Sequence, residues 1–396
     1  MDKGLIIDCF AGGGGASVGI EMALNRDVDI AINHDPAAIR MHKVNHKNTL
    51  HLTEDIFNVD LEDKCKNEHV SLLWASPDCR SFSKAKGSAP RSESVRMLPW
   101  AVYKHTKDLK PDMVFMENVE EIQKWGPLDS DGHIIKDKQG ETYHEFIQSM
   151  KDLGYTFDSR ELVAADYGAP TTRKRWYAVF KRDGEQILWP EQTNAKNGEY
   201  GLNPWVPCCK FIDWSDLGTS LFNRKRALAK STKKRIDCGL EQYLNTTKPY
   251  KIENRETLDR LNTITPEHSL SELGFAWSHV YDETEDLLAL PFLIKYYGTG
   301  GGQLVTEPLA TITTKDRFGL VTVVCHRMSG HMYTAVDMHL RMLKPEELKR
   351  MQGFPESYVI DHDINGKSIP KTDQTKRIGN SVVPTMAAAI IRANVS

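Results

Sequence analysis

Three stretches of this chain hold residue types that can do covalent or acid–base chemistry. The first is Ser76-Pro77-Asp78-Cys79-Arg80-Ser81-Phe82-Ser83, directly after the apolar run 70–75. A strand there would deliver a cysteine onto a loop at the carboxyl edge of a sheet, the edge where ligands bind. The second is Val114-Phe115-Met116-Glu117-Asn118-Val119, an apolar run that ends on a carboxylate. A Cys and a Glu at neighbouring strand ends supply a nucleophile and an acid–base group. Each has a plainer reading. A loop cysteine is usually inert, and an acid after a strand often just partners a helix dipole. The third stretch is the turn Asp8-Cys9-Phe10-Ala11-Gly12-Gly13-Gly14-Gly15. Glycines let a nucleotide-like ligand approach the backbone closely. The spacing is not G-x-G-x-x-G, and a tight structural turn accounts for it equally well. A ribose-binding acid is expected roughly 20 residues on. Asp35, in Asn33-His34-Asp35-Pro36, lies in that range and would equally cap the helix that follows.

Positioning these residues requires a particular scaffold. The apolar runs 4–10, 28–32, 70–75, 113–116 and 176–180 read as buried strands. The stretches 17–24, 36–44, 100–109 and 143–153 read as helices between them, the second with proline in its first turn. Strand and helix in alternation argue for an α/β fold with a doubly wound, mostly parallel sheet. After residue 180 prolines, glycines and asparagines punctuate the chain and no strand–helix–strand repeat is visible. Helices return at 344–352 and 384–395. The division expected is an α/β part at 1–184, a smaller irregular part at 185–335, and a return to the first part at 336–396.

Composition sets outer limits. The chain has 396 residues, 40% hydrophobic and 27% charged, ordinary values for a globular protein. No run of 18 apolar residues suggests a membrane span. The first eight residues lack a signal-peptide pattern. The seven cysteines include no C-x-x-C pair, so no metal site is expected. The odd count suits a reducing cytoplasm. The net charge of −3 does not by itself point to nucleic acid. Residues 221–235 nevertheless carry Arg224, Lys225, Arg226, Lys230, Lys233, Lys234 and Arg235 with no acid among them. That segment is either a solvated helix face or a phosphate-contacting patch.

Taken in order, five segments resemble the ordered motifs of the cytosine-C5 DNA methyltransferase family of bacterial or phage type. They are Phe10 to Gly15, Pro77-Asp78-Cys79, Glu117-Asn118-Val119, Arg173-Lys174-Arg175 and Gly379-Asn380-Ser381-Val382-Val383-Pro384. The segment from Arg341 through Gln352-Gly353-Phe354-Pro355 is similar to the motif before the last one. Each motif alone is loose; the order is specific, and it spans the chain apart from its middle.

The resemblance implies an S-adenosylmethionine-dependent methyltransferase fold and methyl transfer to C5 of a cytosine flipped out of duplex DNA. Cys79 would attack C6, Glu117 would hold the base at N3 and its amino group, and Arg175, with Arg173 beside it, would support it. Cofactor contacts would fall to Phe10, Gly12, Gly13, Gly14, Asn33, His34, Asp35, Asp55, Ile56, Pro77, Leu98, Asn380, Ser381 and Val382. Several have structural alternatives: loop acid for Asp55, core packing for Leu98, helix cap for Asn380 and Ser381. The middle part would be a target-recognition domain. DNA contacts would come from Arg80, Ser83, Arg224, Lys225, Arg226, Lys233, Lys234, Gly300 and Gly301, and from loops at 297–302 and 308–314. S-adenosylhomocysteine would be the second product. A monomer is expected, in a bacterial or phage-infected cytoplasm, alongside a cognate restriction endonuclease.

Three positions depart from the family pattern. Asp78 stands where a proline usually precedes the cysteine, and a neighbouring carboxylate disfavours a thiolate. Thr171 replaces the glutamine of Q-x-R-x-R. Asn33 falls where the ribose-binding glutamate is expected. The competing readings are methylation of cytosine in tRNA on the same core and a non-catalytic nucleic-acid-binding relative. Amino-group methyltransferases fit less well, because no aromatic residue ends the Ser76 to Cys79 loop.

Overall fold

The computed structural model describes residues 4–79, 82, 92–182, 184–222, 224, 226–243, 250–251, 287–297, 302–327 and 333–395. The chain packs as two compact units. One comprises Met1–Val206, Ala310–Thr314 and Lys349–Ser396; the other comprises Pro207–Leu309 and Lys315–Leu348. Arg80, Ser83, Lys225, Gly300 and Gly301 lie outside the described residues. No helix among those described is long and apolar enough to cross a membrane.

The first unit alternates strand and helix. Its elements are β1 (Leu5–Cys9), α1 (Gly15–Leu24), β2 (Ile30–Ile32), α2 (Pro36–Asn45), β3 (Leu50–Leu52), α3 (Leu61–Cys65) and β4 (Val70–Ala75). There follow α4 (Glu93–Arg96), α5 (Leu98–Leu109), β5 (Met113–Asn118), α6 (Glu141–Asp152), β6 (Tyr155–Val163) and β7 (Lys174–Arg182). The sheet order is β3-β2-β1-β4-β5-β7-β6. The first five strands run parallel, while β7 is antiparallel to both β5 and β6.

The continuous apolar runs are explained by burial on both faces. Ile7, Leu73, Ala75, Val114 and Met116 join one core with Val102 of α5 and Phe146 of α6. Their neighbours Ile6, Leu72, Trp74, Met113 and Phe115 join the other with Ile20 of α1. Residues Met386, Ile390 and Ile391 of the closing helix complete that second core.

Two elements had no apolar signature. Strand β6 is an edge strand that exposes Asp158 and Arg160 on one face and Glu161 on the other. The helix Lys371–Asn380 buries Gln374, Thr375 and Arg377 along with Ile378, so hydrophobic periodicity does not reveal it.

The second unit is built on an antiparallel sheet. After the small pair β8 (Asn194–Ala195) and β9 (Asn203–Pro204) of the first unit come β10 (Thr219–Ser220), α7 (Lys230–Tyr243), β11 (Tyr250–Lys251), β12 (Leu287–Lys295), β13 (Gly302–Leu304), β14 (Phe318–Arg327) and β15 (Tyr333–Met342). The order is β10-β15-β14-β12-β11, with β13 also on β12. Pro291 obscured β12. It falls in the gap between the two short partners, β11 pairing at Leu288 and Ala289 and β13 at Phe292 to Ile294. Helix α7 lays Thr232, Ile236 and Leu240 inward, and Gly239 is required because a Cβ there would meet the Phe292 ring at 2.2 Å. The chain continues through α8 (Pro345–Met351), α9 (Lys371–Asn380) and α10 (Pro384–Asn394).

Space around two glycines separates backbone strain from packing. Gly14 caps α1 at φ 84°, and a Cβ there would lie 1.9 Å from the Tyr358 hydroxyl. Gly154 has φ 92° and open space. Gly154→Ala should cost about 1–2 kcal/mol, the left-handed penalty alone. Gly14→Ala should cost clearly more, measured by denaturant midpoints. Equal costs would mean that the Tyr358 contact yields freely.

Candidate active site

The sheet reverses its winding between β1 and β4, and the loops after those two strands meet at its carboxyl edge, where such folds bind ligands. Cys79 is four residues past β4. It is partly buried and packs against the core. Phe82 fixes its loop: its amide donates to the Cys79 carbonyl at 2.9 Å. The Phe82 ring sits edge-on to Trp125 with centroids 5.8 Å apart, and the buried Arg96 guanidinium lies 5.3 Å over it.

Strand β5 delivers Glu117, 6% exposed, and Asn118, 1% exposed. The Asn118 side chain donates to the Pro77 carbonyl at 2.9 Å and accepts from Val119 N–H at 2.9 Å. It therefore ties the cysteine loop to the carboxylate strand.

The antiparallel register explains the two arginines. Glu117 pairs directly with Tyr177. Residues two apart on a strand share a face, so Arg175 and Arg173 fall diagonally and then further along on the Glu117 side. Arg175 Nε is 3.2 Å from Glu117 Oε1, and Arg173 Nη2 is 3.9 Å from it. Lys174, between them, pairs instead with Glu120 at 2.8 Å and with Glu161. Arg173 has a second duty: its Nη1 donates to the Gly379 carbonyl at 3.1 Å and, at 3.5 Å, to that of Ile312. Thr171, where glutamine was expected, accepts from the Arg173 amide at 3.3 Å.

Burial pushes the Cys79 thiol up. Arg175 opposes that shift, Glu117 adds to it, Arg173 opposes it and Asp78 adds to it. Burial, and then repulsion from Arg175, lower Arg173 to about 10 against the pull of Glu117. The site thus holds a thiol kept protonated by desolvation and two cations that favour its thiolate.

The glycine turn serves packing as much as access. A Cβ at Gly13 would lie 2.7 Å from the Arg377 carbonyl oxygen, and one at Gly15 would lie 2.1 Å from that of Val382. At Gly12 it would meet only the Phe10 carbonyl oxygen, at 3.8 Å. Phe10 itself has φ 69°, a left-handed strain for a residue with a side chain. Ser381 Oγ accepts from Gly15 N–H at 3.0 Å, and the Tyr358 hydroxyl donates to the Gly13 carbonyl at 2.9 Å.

The other expected contacts are spread along the same edge. Asn33 follows β2 and its Oδ1 accepts from Asp35 N–H at 2.8 Å. His34 and Asp55 are exposed, and Ile56, Pro77 and Val382 are buried. Asp55 Oδ1 accepts from Phe57 N–H at 2.8 Å. Leu98 is half-buried at the start of α5, and Asn380 is exposed at the end of α9. On the second unit Arg224, Arg226, Lys233 and Lys234 are exposed. Arg235 is not free: its Nε donates to the Lys295 carbonyl at 2.9 Å, and it lies 5.4 Å over Tyr296. The segment 310–314 belongs to the first unit, where the Thr313 carbonyl abuts Gly379.

Sequence reasoning missed a polar chain beneath the turn. Ser17 Oγ donates to Asp8 Oδ2 at 2.7 Å and lies 2.9 Å from His42 Nε2. His42 Nδ1 lies 2.8 Å from His51 Nε2. Burial raises Asp8 to about 7, against the Ser17 hydrogen bonds. Burial also holds His42 well below its ordinary value, and holds His51 at about 4. The only local signal for this chain was three histidines at positions 42, 46 and 51.

A profile of the C-5 cytosine-specific DNA methylase family matches residues 5–396. The chain is 30% identical over 401 residues to the Type II methyltransferase M.DdeI of Desulfomicrobium norvegicum, covering 97% of this chain and 87% of that one. It is 26% identical over 387 residues to M.Sau3AI of Staphylococcus aureus, covering 91% and 89%. Among solved structures, the S. pombe Dnmt2 methyltransferase shares the fold, with a TM-score of 0.52 at 14% identity over 99% of this chain and 98% of that one.

Two pH-dependent measurements follow from this geometry. Arg175→Gln should raise the pH midpoint of Cys79 alkylation by iodoacetamide, and by more than Asp78→Asn lowers it. The reverse order would remove Arg175 as the main counter-charge. For stability, the signs at Asp8 and the histidines oppose. Asp8 keeps a proton between its ordinary 3.8 and about 7, so its contribution is full below that window and is lost as pH rises through it. His51 stays neutral between 6.5 and about 4, so its contribution is present above that window and is lost as pH falls. Asp8→Asn removes only the first effect. Between pH 6.5 and 4 it should lose stability more steeply on acidification than the wild type, by up to about 1.4 kcal/mol per pH unit. Equal slopes would mean that Asp8 titrates in the ordinary carboxylate range.

Proposed function

The chain belongs to the C-5 cytosine-specific DNA methylase family, and from that premise we propose that Cys79 is its nucleophile and Glu117 its base-holding carboxylate. The observation that carries this reading is the convergence of Cys79, Glu117, Arg173 and Arg175 at one sheet edge, with Arg175 3.2 Å from Glu117. No other buried carboxylate among the described residues faces two arginines beside a partly exposed thiol.

The Cys79 thiolate forms a bond to C6 of the cytosine, which moves an electron pair to C5. Glu117 faces N3 and the amino group and stabilises the adduct, while Arg175 holds the Glu117 carboxylate and Arg173 anchors the strand end. S-adenosylmethionine supplies the methyl group from its sulfonium. Loss of the C5 proton to solvent then restores the C5–C6 double bond and expels the Cys79 thiolate. The target carbon is stacked inside the duplex, so the base must be flipped into this site.

The open space at Gly12 suits close approach of the cofactor. Phe10, Gly12, Gly13, Gly14, Asn33, His34, Asp55, Ile56, Pro77, Leu98, Asn380, Ser381 and Val382 line the edge proposed to take it. Lys233 and Lys234 of α7, with Arg224 and Arg226, are proposed phosphate contacts that position the duplex and carry no sequence information. Relatives named as Type II methyltransferases make a companion restriction endonuclease the partner of choice. A free nucleophilic thiol also calls for a reducing compartment such as the bacterial cytoplasm.

Labelled cofactor offered with duplex DNA and with tRNA tests the substrate; label in tRNA alone would overturn the DNA reading. Cys79→Ser should abolish transfer with folding intact, and Glu117→Gln should slow it by about 10²-fold or more. DNA carrying 5-fluorocytosine at the target should trap a denaturation-resistant adduct, because the fluorine cannot leave as a proton. An active enzyme that forms no adduct would exclude the covalent route.

A further inference from the structure

Arg377 lies in α9 and is 6% exposed. Its Nη2 donates to Asp35 Oδ2 at 2.6 Å, across 342 residues of sequence. Asp35 is also the N-cap of α2, where its Oδ1 accepts from Ala37 N–H at 2.9 Å. Both carboxylate oxygens are therefore engaged inside the protein. Burial alone would raise the Asp35 carboxyl, and the Arg377 hydrogen bond and the cap outweigh it, leaving the carboxyl lowered.

The same arginine touches the glycine turn. Its carbonyl oxygen and Cβ lie 2.7 and 3.4 Å from where a Cβ on Gly13 would be. Its Nε is buried without a hydrogen-bond partner. A buried guanidinium needs a counter-charge, and Asp35 is its ion-pair partner. One residue thus joins three parts of the edge: its backbone packs on the turn after β1, its guanidinium holds the N-terminus of α2 after β2, and its helix runs into Asn380-Ser381-Val382.

We propose that the Arg377–Asp35 pair is a latch that positions the cofactor cradle, with Asp35 acting on Arg377 and α2 rather than on the cofactor ribose. This rests on the reading of that edge as the S-adenosylmethionine site. The Gly15–Ser381 and Gly13–Tyr358 hydrogen bonds already tie the turn to the closing segment, and the latch adds the N-terminus of α2 to that closure. Breaking it removes no contact of Cys79 or Glu117 and loosens the cradle, while Arg173 keeps its own bond to the Gly379 carbonyl of α9.

A double-mutant cycle separates this role from its alternatives. Arg377→Gln should weaken binding of S-adenosylmethionine and S-adenosylhomocysteine, measured by calorimetry, by about tenfold or more. It should raise KM for the cofactor while kcat at saturating cofactor stays within about twofold and KM for DNA is unchanged. Asp35→Asn keeps the helix cap and loses the charge, and should weaken binding to a similar degree. The double variant should be no worse than Arg377→Gln alone, and Arg377→Lys should recover part of the loss. If Arg377→Gln fails to fold, the Arg377→Lys and Asp35→Asn pair gives the same cycle. Multiplying effects would overturn the latch and return Asp35 to a direct cofactor contact. Unchanged affinity in the variants would also overturn it. A wild-type chain that binds neither compound would overturn the cofactor reading and the latch together.

Discussion

The first unit is organised around one desolvated carboxylate. Glu117 sits at the end of a fully buried strand, where an isolated charge would be costly. Its ion-pair partners are the guanidinium groups of Arg175 and Arg173. Removing one partner of such a cluster costs about 3–5 kcal/mol, because the remaining charge stays buried. That constraint accounts for the antiparallel pairing of β7 with β5. A parallel β7 would begin at the other end of β5 and carry the arginines away. Antiparallel pairing with Tyr177 opposite Glu117 brings their alternating positions to the carboxylate.

The second constraint is closure of the chain on itself. The turn after β1 is lined by backbone from residues 377–382 and by Tyr358, not by neighbours in sequence. Glycine at positions 13 and 15 is demanded by carbonyl oxygens at 2.7 and 2.1 Å. The familiar explanation, that such glycines admit a ligand, fits only Gly12. The last helices therefore wall the glycine turn, and α10 also contributes Met386, Ala387, Ile390 and Ile391 to one hydrophobic core.

The polar layer under the turn shows how the fold handles groups it cannot expose. Asp8, Ser17 and His42 are all buried and hydrogen-bonded in sequence, with His51 at the outer end. Neutral histidines and a carboxyl raised to about 7 leave this layer without a net buried charge between about pH 4 and 7. The strategy differs from that at Glu117, where charges are retained and paired.

The amino-acid sequence by itself determined the parallel core and placed the thiol and carboxylate at its edge. Strands buried on both faces must be apolar throughout, so β1, β4 and β5 could be read directly, and Cys79 and Glu117 stand in short motifs just beyond them. The order of those motifs along the chain carried the family resemblance. Tertiary structure decided the rest. Strand β6 hid because it exposes charges on both faces, and α9 hid because its buried face is polar and serves Asp35, Gly13 and Ser381's neighbours rather than a core. Which glycines face carbonyls, which of the two arginines lies nearer Glu117, and where Asp35 directs its oxygens depend on contacts made across hundreds of residues. Local patterns report which face of an element is dry. They do not report the partner that dries it, because that partner is chosen only when the whole sheet and its closing helices pack.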